Sequence, residues 1–267
     1  MYGRRSFSMK TYNVINISFN CCFLVSESFE KFSEKKNRKI YFKIENMKLD
    51  RFYYGCQFKE IETNNQFIFA NDTGIMVINK DWTVGDISTF QSKTNIDYFV
   101  LTVFYTHAVQ NHIIQFHSSL ISRQNSGIMF LGPSGIGKTT QAELWNQYRD
   151  ALIINGDIVF VQETEKDFLG WGTPWHGSSP YCENTSVPLR AMVVLKQAKE
   201  NSIRELTGFE KVSEVSNHVF YPQWLENGME LCLETLDHLL TAIPVYELSC
   251  RPDEDAVRLT EETIFGT

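Results

Sequence analysis

The sequence predicts a mixed α/β chain, with a smaller β-rich region over residues 1–95 and an α/β domain over residues 96–267. Three observations predict it. Short β-branched and aromatic runs separated by turn-like pieces fill the first region. From about residue 96 onward, strand-length apolar runs alternate with helix-length amphipathic ones, which is the pattern of α/β domains. Between one such strand and one such helix, Gly132, Pro133, Ser134, Gly135, Ile136, Gly137, Lys138 and Thr139 match G-x-x-x-x-G-K-[ST] at every fixed position.

The elements follow in chain order. Residues 14–19, 40–44, 66–70 and 75–78 read as strands, with a turn at 71–74, while the charged run 27–38 is either a short helix or a solvated loop. Ile96, Phe99, Val100, Val103, Phe104, His107 and Ala108 recur at helical spacing, so 96–108 is expected to be a helix burying one stripe. His107 on that stripe reads as a hydrogen-bonded core histidine. Residues 113–122 and 127–131 are strands, and 140–148 is the helix after the glycine-rich turn. Residues 151–161 form a bent strand or a strand pair, and 189–195 and 244–250 are buried strands. Helices are expected over 208–220, 225–240 and 253–264. The last begins at Asp253 and Glu254 after Pro252, where negative charge suits the helix dipole.

Bulk properties bound the function. A chain of 267 residues holds one large domain or a small one joined to a medium one. A net charge of −7 argues against nucleic acid as the main partner, because a phosphate backbone wants a basic face. The six cysteines are scattered without a C-x-x-C pair, which suits free thiols in a reducing cytosol better than disulfides or a zinc site. No apolar run reaches the roughly 18 residues of a membrane span. Arg4-Arg5-Ser6-Phe7 superficially resembles an export signal, but the polar Lys10-Thr11-Tyr12-Asn13 follows instead of an apolar stretch. A cytoplasmic location is expected.

The glycine-rich stretch carries the chemistry. Glycines let consecutive backbone N–H groups turn inward on a phosphate chain, and the following helix start adds roughly half a positive charge. Lys138 can then reach the β- and γ-phosphates, Thr140 adjoins the cradle, and the Thr139 hydroxyl can ligate Mg²⁺. Asp157, after the apolar 151–154, is the candidate metal-linked or general-base carboxylate; the alternative is a tight turn made with Asn155 and Gly156. His117 interrupts an apolar strand and is either a second catalytic group or a structural histidine. The Gly- and Trp-rich stretch around Thr173, Trp175 and His176 has the composition of a loop that covers a site, and Arg190 is a nearby cation for a substrate. Lys196, Arg204 and Arg251 are further cations, and the surface is the default place of all four.

The order His117-Ser118-Ser119-Leu120-Ile121, then 132–139, then Asn155-Gly156-Asp157-Ile158-Val159 resembles the C-terminal catalytic domain of HPr serine kinase/phosphorylase. The likeness is closer to a diverged bacterial group of HPr kinase-related proteins, through the residues 132–142, Gly172-Thr173-Pro174-Trp175, Val187-Pro188-Leu189 and Cys250-Arg251-Pro252-Asp253. It covers about residues 113–260. The resemblance implies a phosphate-loop fold related to phosphoenolpyruvate carboxykinase, with ATP and Mg²⁺ as cofactors. Some members of the wider group phosphorylate a peptide serine. Three departures stand out: the first aspartate of the family's pair falls on Gly156, the acidic residue after the phosphate loop is Thr140, and the loop that engages HPr gives way to 172–179.

The expected function is therefore an Mg-ATP-dependent kinase that transfers the γ-phosphate to a hydroxyl of a small molecule or peptide other than HPr. Asp157, His117 and Lys138 are the catalytic candidates, and Thr139 with Asp157 holds the metal. One alternative is a catalytically degenerate ATP-binding sensor or peptide-maturation partner, which Gly156 favours. The other is a carboxykinase-like enzyme, whose extra metal ligands and oxaloacetate-binding arginine are not identifiable. No nucleic-acid or membrane partner is expected; a homo-oligomer is compatible with the sequence.

Overall fold

A computed structural model describes residues 9–22, 25–35, 38–46, 51–53, 56–58, 65–70, 74–89 and 96–266. It is mixed α/β and divides into two compact units, Met1–His107 and Ala108–Thr267.

In the first unit the strands are β1 (Lys10–Val14), β2 (Ile17–Cys21), β3 (Ile40–Asn46), β4 (Arg51–Tyr53), β5 (Cys56–Phe58), β6 (Gln66–Ala70), β7 (Gly74–Asn79) and β8 (Val84–Thr89). Six of them form one sheet in the order β1-β2-β3-β8-β7-β6, while β4 and β5 pair with each other. The run 14–19, expected as one strand, is instead a hairpin. Ile15 and Asn16 both take positive φ, 49° and 62°, which turns the chain back so that β1 and β2 pair antiparallel. Asparagine tolerates that region and isoleucine does so at a cost, here offset because Ile15 is buried. The charged run after β2 contains a 3-10 helix at Glu27–Phe32, which buries Phe29 and Phe32. The turn expected at 71–74 falls largely outside the described residues.

Helix α1 (Asp97–Val109) follows. It was expected at the head of the nucleotide-binding part, yet its residues up to His107 lie in the first unit. The His107 ring stacks on Phe42 at 5.5 Å, and its Nε2 lies 2.8 Å from the Trp82 carbonyl. Burial pushes its pKa down, so it is a core histidine.

The second unit contains β9 (Ile113–Arg123), β10 (Ser126–Leu131), α2 (Lys138–Arg149), β11 (Leu152–Asn155), β12 (Ile158–Glu163) and β13 (Phe168–Trp171). Next come β14 (Ser186–Gln197), β15 (Ser202–Leu206), α3 (Gly208–Ser216), β16 (Val219–Phe220), α4 (Gly228–Ala242), β17 (Val245–Cys250) and α5 (Glu254–Phe265). The sheet runs β10-β9-β12-β13-β14-β17-β15, and β10 also pairs with β14, so the pairings return on themselves. β14 runs parallel to β10 and β17, and the other pairs on this path are antiparallel. β9 is long enough to serve four partners: its first half, up to His117, pairs with β12 and the short β16, and its second half, from Ser118, pairs with β10 and β11. That changeover decides where the site forms.

Helices α2 and α5 share one core with the sheet. Trp145 and Ala142 of α2 meet Val257 and Ile264 of α5 over Phe130, Val193 and Leu248. Burial of such apolar surface, at roughly 25 cal/mol per Å², holds the helix that follows the glycine-rich turn. Asp253 caps α5 by accepting from Ala256 N at 3.1 Å. The helix expected over 208–220 stops at Ser216, and the chain re-enters the sheet as β16 beside β9. The segment 151–161 resolves into two strands, β11 and β12, broken at Gly156-Asp157. Among the described residues no helix is long and apolar enough to cross a membrane.

Candidate active site

The changeover in β9 brings two turns together. Ser118 pairs with Leu131, the last residue before the glycine-rich turn, while His117 pairs with Ile158, the first residue after Asp157. The Ser118 N–H also donates to the Asp157 carbonyl at 2.9 Å. The turn that carries Gly132 to Gly137 and the turn that carries Gly156 and Asp157 are thereby set side by side.

The first turn needs its glycines. Gly132, Gly135 and Gly137 take φ of 148°, 79° and 116°, conformations that L side chains rarely adopt. Helix α2 starts directly afterwards at Lys138, which is buried. Its Nζ donates to the carbonyls of Gly132 at 3.0 Å and Pro133 at 3.2 Å. Burial lowers the Lys138 pKa and the Asp157 charge opposes that shift. A desolvated ammonium held by neutral carbonyls is under-compensated, and an anion beside it would relieve the cost.

The second turn hangs on Asn155. Its buried amide oxygen accepts from the Asp157 N–H at 2.9 Å and the Ile158 N–H at 3.0 Å. Its Nδ2 donates to the carbonyls of Thr173 and Trp175, both at 3.1 Å. One side chain thus fixes Asp157 and ties the 172–179 loop to it. Asp157 Oδ1 lies 3.1 Å from His117 Nε2, and both side chains keep part of their surface open. The Thr139 hydroxyl donates to the Gly156 carbonyl at 3.2 Å. His218 backs the pair: its carbonyl accepts from the His117 N–H at 2.9 Å. Burial, then the charges of Lys138 and His117, lower the His218 pKa. The Phe220 ring stands 6.4 Å from the His117 ring and is partly exposed.

A cavity of about 240 Å³ lies between the turns. His117, Ser134, Gly135, Gly137, Lys138, Thr139, Thr140 and Asp157 line it, together with Gly156 and Ser178. A second cavity of about 370 Å³ adjoins the other flank of the turn, where Ile136 and Gln141 face the ends of β14 and β17. The remaining sequence candidates lie elsewhere. Thr173 is fully buried and its hydroxyl donates to the Ile158 and Trp175 carbonyls, so it shapes the loop from within. Trp175 is buried with its ring 6.3 Å from Phe160. His176 Nδ1 contacts the Ser179 carbonyl. Arg190 donates to the Ile264 carbonyl at 3.3 Å and lies 5.9 Å over Phe265, outside the cavity lining. Lys196, Arg204 and Arg251 are ion-paired with Glu214, with Glu210 and Glu247, and with Asp253.

Sequence reasoning missed Asn155 as the organising side chain, although an Asn before Gly-Asp is a turn signal that could have found it. His218 and Phe220 left no signal, because β16 forms only by pairing with β9. Gly156 also gains a reason. A Cβ there would meet Ser179 Oγ at 1.9 Å and Ser179 Cβ at 2.5 Å, so the space of a larger residue is already filled. Gly156→Ala is expected to cost about 1–3 kcal/mol, the scale of overpacking, and Gly156→Ala with Ser179→Gly should recover most of it. Urea titration of both variants checks this; an unchanged midpoint in the single variant would contradict the close approach.

Among the described residues no group of three His, Cys, Asp or Glu side chains is placed to hold a metal ion. Among the oxygen-bearing residues that line the cavity, the Thr139 hydroxyl and the Asp157 carboxylate are donors that suit a hard divalent cation.

No protein-family model matches the chain, and no curated protein matches it. A solved structure of the HPr(Ser) kinase/phosphatase from Coxiella burnetii is similar to it at 11% identity, covering 57% of this chain and 93% of that one, with a TM-score of 0.33.

Proposed function

We propose that the second unit is an Mg-ATP-dependent phosphotransferase acting on a hydroxyl of a small molecule or peptide. The observation that carries this reading is the shared cavity, in which the complete phosphate-loop pattern with its buried Lys138 faces the Asp157–His117 pair. Phosphoryl transfer asks a protein for little covalent chemistry; it asks for a cradle, cations and a group that orients the nucleophile. Backbone N–H groups at the start of α2 and the Lys138 ammonium supply the first two for a triphosphate tail.

In this reading Asp157 takes the proton of an attacking hydroxyl, and His117, whose Nε2 lies 3.1 Å from Asp157 Oδ1, orients that carboxylate. Thr139 and Asp157 would hold Mg²⁺, which when bound neutralises charge on the phosphates. The donor set fits: one hydroxyl and one carboxylate leave positions for phosphate oxygens and water, as Mg²⁺ usually requires. The ten-residue lining contains no arginine, so Lys138 and the backbone dipoles carry the stabilisation of transferred charge.

The test is transfer itself. Purified protein with Mg²⁺ and γ-labelled ATP is offered a pool of hydroxyl-bearing metabolites and Ser- or Thr-containing peptides, and label and ADP are followed together. Labelled product with equal ADP is expected. If no labelled product and no ADP form, the reading fails.

A further inference from the structure

Resting on that reading, we infer that the Ser178 hydroxyl is a phosphate acceptor supplied in cis by the protein itself. Of the two serines at the tip of the 172–179 loop, Ser179 is locked. It is buried, its Oγ accepts from the Tyr181 N–H at 3.3 Å, and it fills the space beside Gly156. Ser178 is the opposite case: it is exposed, its hydroxyl takes no hydrogen bond, and it lines the same cavity as Lys138, Thr139 and Asp157.

The backbone around Ser178 is fixed rather than loose. The Ser179 N–H donates to the His176 carbonyl at 3.1 Å, closing a tight turn with Gly177 and Ser178 at its centre. Gly177 takes φ of 57°. A Cβ on Gly177 would lie 2.2 Å from Asp157 Oδ2, so the turn runs directly against the candidate base. Asn155 holds the root of the loop and the Asp157 backbone at once. Ser178 therefore follows directly on the residue packed against Asp157 and lines the same cavity as that carboxylate and the buried Lys138 ammonium. Holding the nucleophile in this way replaces a bimolecular encounter with an intramolecular one.

The step balances. The Ser178 Oγ attacks the γ-phosphorus of a nucleoside triphosphate, the bond from that phosphorus to the β,γ-bridging oxygen breaks, and the nucleoside diphosphate leaves. The hydroxyl proton passes to Asp157 and from there to solvent. Ser178 has one hydroxyl, so each chain is modified once, and the phosphoserine adds a charge of roughly −1.5 to −2 in the cavity that holds Lys138.

The experiment incubates the full chain with Mg²⁺ and γ-labelled ATP, with and without the external hydroxyl pool. Intact mass, the fragment that carries the phosphate, and ADP are read in parallel. One phosphate per chain on Ser178 is expected, at a rate per chain unchanged by diluting the protein. Ser178→Ala should carry none and Ser178→Thr should still be modified, each with the circular dichroism of the wild type. Phosphate on any other residue, such as Ser134 in the glycine-rich turn, overturns the inference, as does a rate that falls on dilution. Phosphorylated external hydroxyls with Ser178 unmodified overturn it and leave the kinase reading standing. Absence of both ADP and phosphorylated product removes both.

Discussion

Asp157→Asn is expected to lower turnover by about 10²–10⁴-fold, the usual contribution of a positioned general base, while nucleotide still binds. The substitution keeps the shape of the side chain and the hydrogen bonds that its backbone makes with Asn155 and Ser118. It removes the charge facing His117 Nε2 at 3.1 Å and the oxygen able to take a proton. Steady-state ADP release from wild type and variant, paired with calorimetric binding of ATP, separates chemistry from affinity. Equal turnover in the two proteins would take Asp157 out of the mechanism. If neither protein turns over while both bind ATP, the second reading gains: a nucleotide-binding sensor. One observation favours that reading: Ser179 fills the space beside Gly156, so no second carboxylate can stand next to Asp157 at that position.

Lys138→Ala is expected to affect binding first. A hydrogen bond to a charged group contributes about 1.5–3 kcal/mol, so losing one such contact to a phosphate weakens ATP binding by roughly ten- to hundredfold. The same substitution has the opposite sign on the fold. Lys138 is buried against two neutral carbonyls, and burial already pushes its pKa down. Removing a desolvated ammonium relieves that cost, so the thermal midpoint should hold or rise. Calorimetry with Mg-ATP and a thermal melt read the two effects on one sample. Unchanged affinity would contradict the assignment of the turn to a triphosphate tail.

Much of the second unit was legible because its signals are local. The glycines of 132–137 encode positive φ, and the apolar spacing of 140–148 and 253–264 encodes helices. What escaped notice depends on partners distant in sequence. β13 has only four residues, and β15 is largely polar at the end of the sheet order, so neither shows a strand pattern of its own. Phe220 reads as the end of a helix until β9 captures it as β16. The hairpin at Ile15-Asn16 was hidden because isoleucine is a poor residue for positive φ; its burial and the pairing of β1 with β2 hold it there. In the site, the sequence could nominate His117 and Asp157 separately. Their contact exists because β9 changes partners between His117 and Ser118, which no local pattern records.

The same limit explains the loop residues. Thr173, Trp175 and His176 stood out by composition, yet Thr173 and Trp175 are engaged with Ile158 and Phe160 of β12 and His176 with Ser179 of the loop. Ser178, at the polar tip of the same loop, is the residue of 172–179 that lines the cavity.

The most direct measurement is a crystal structure with Mg²⁺ and a non-hydrolysable ATP analogue. The account predicts the γ-phosphate in the cavity between Lys138 and Asp157, with Lys138 Nζ moved from the Gly132 and Pro133 carbonyls onto phosphate oxygens and the metal on Thr139. A nucleotide whose phosphates lie elsewhere, or a Lys138 still bonded to both carbonyls with the nucleotide bound, would contradict it.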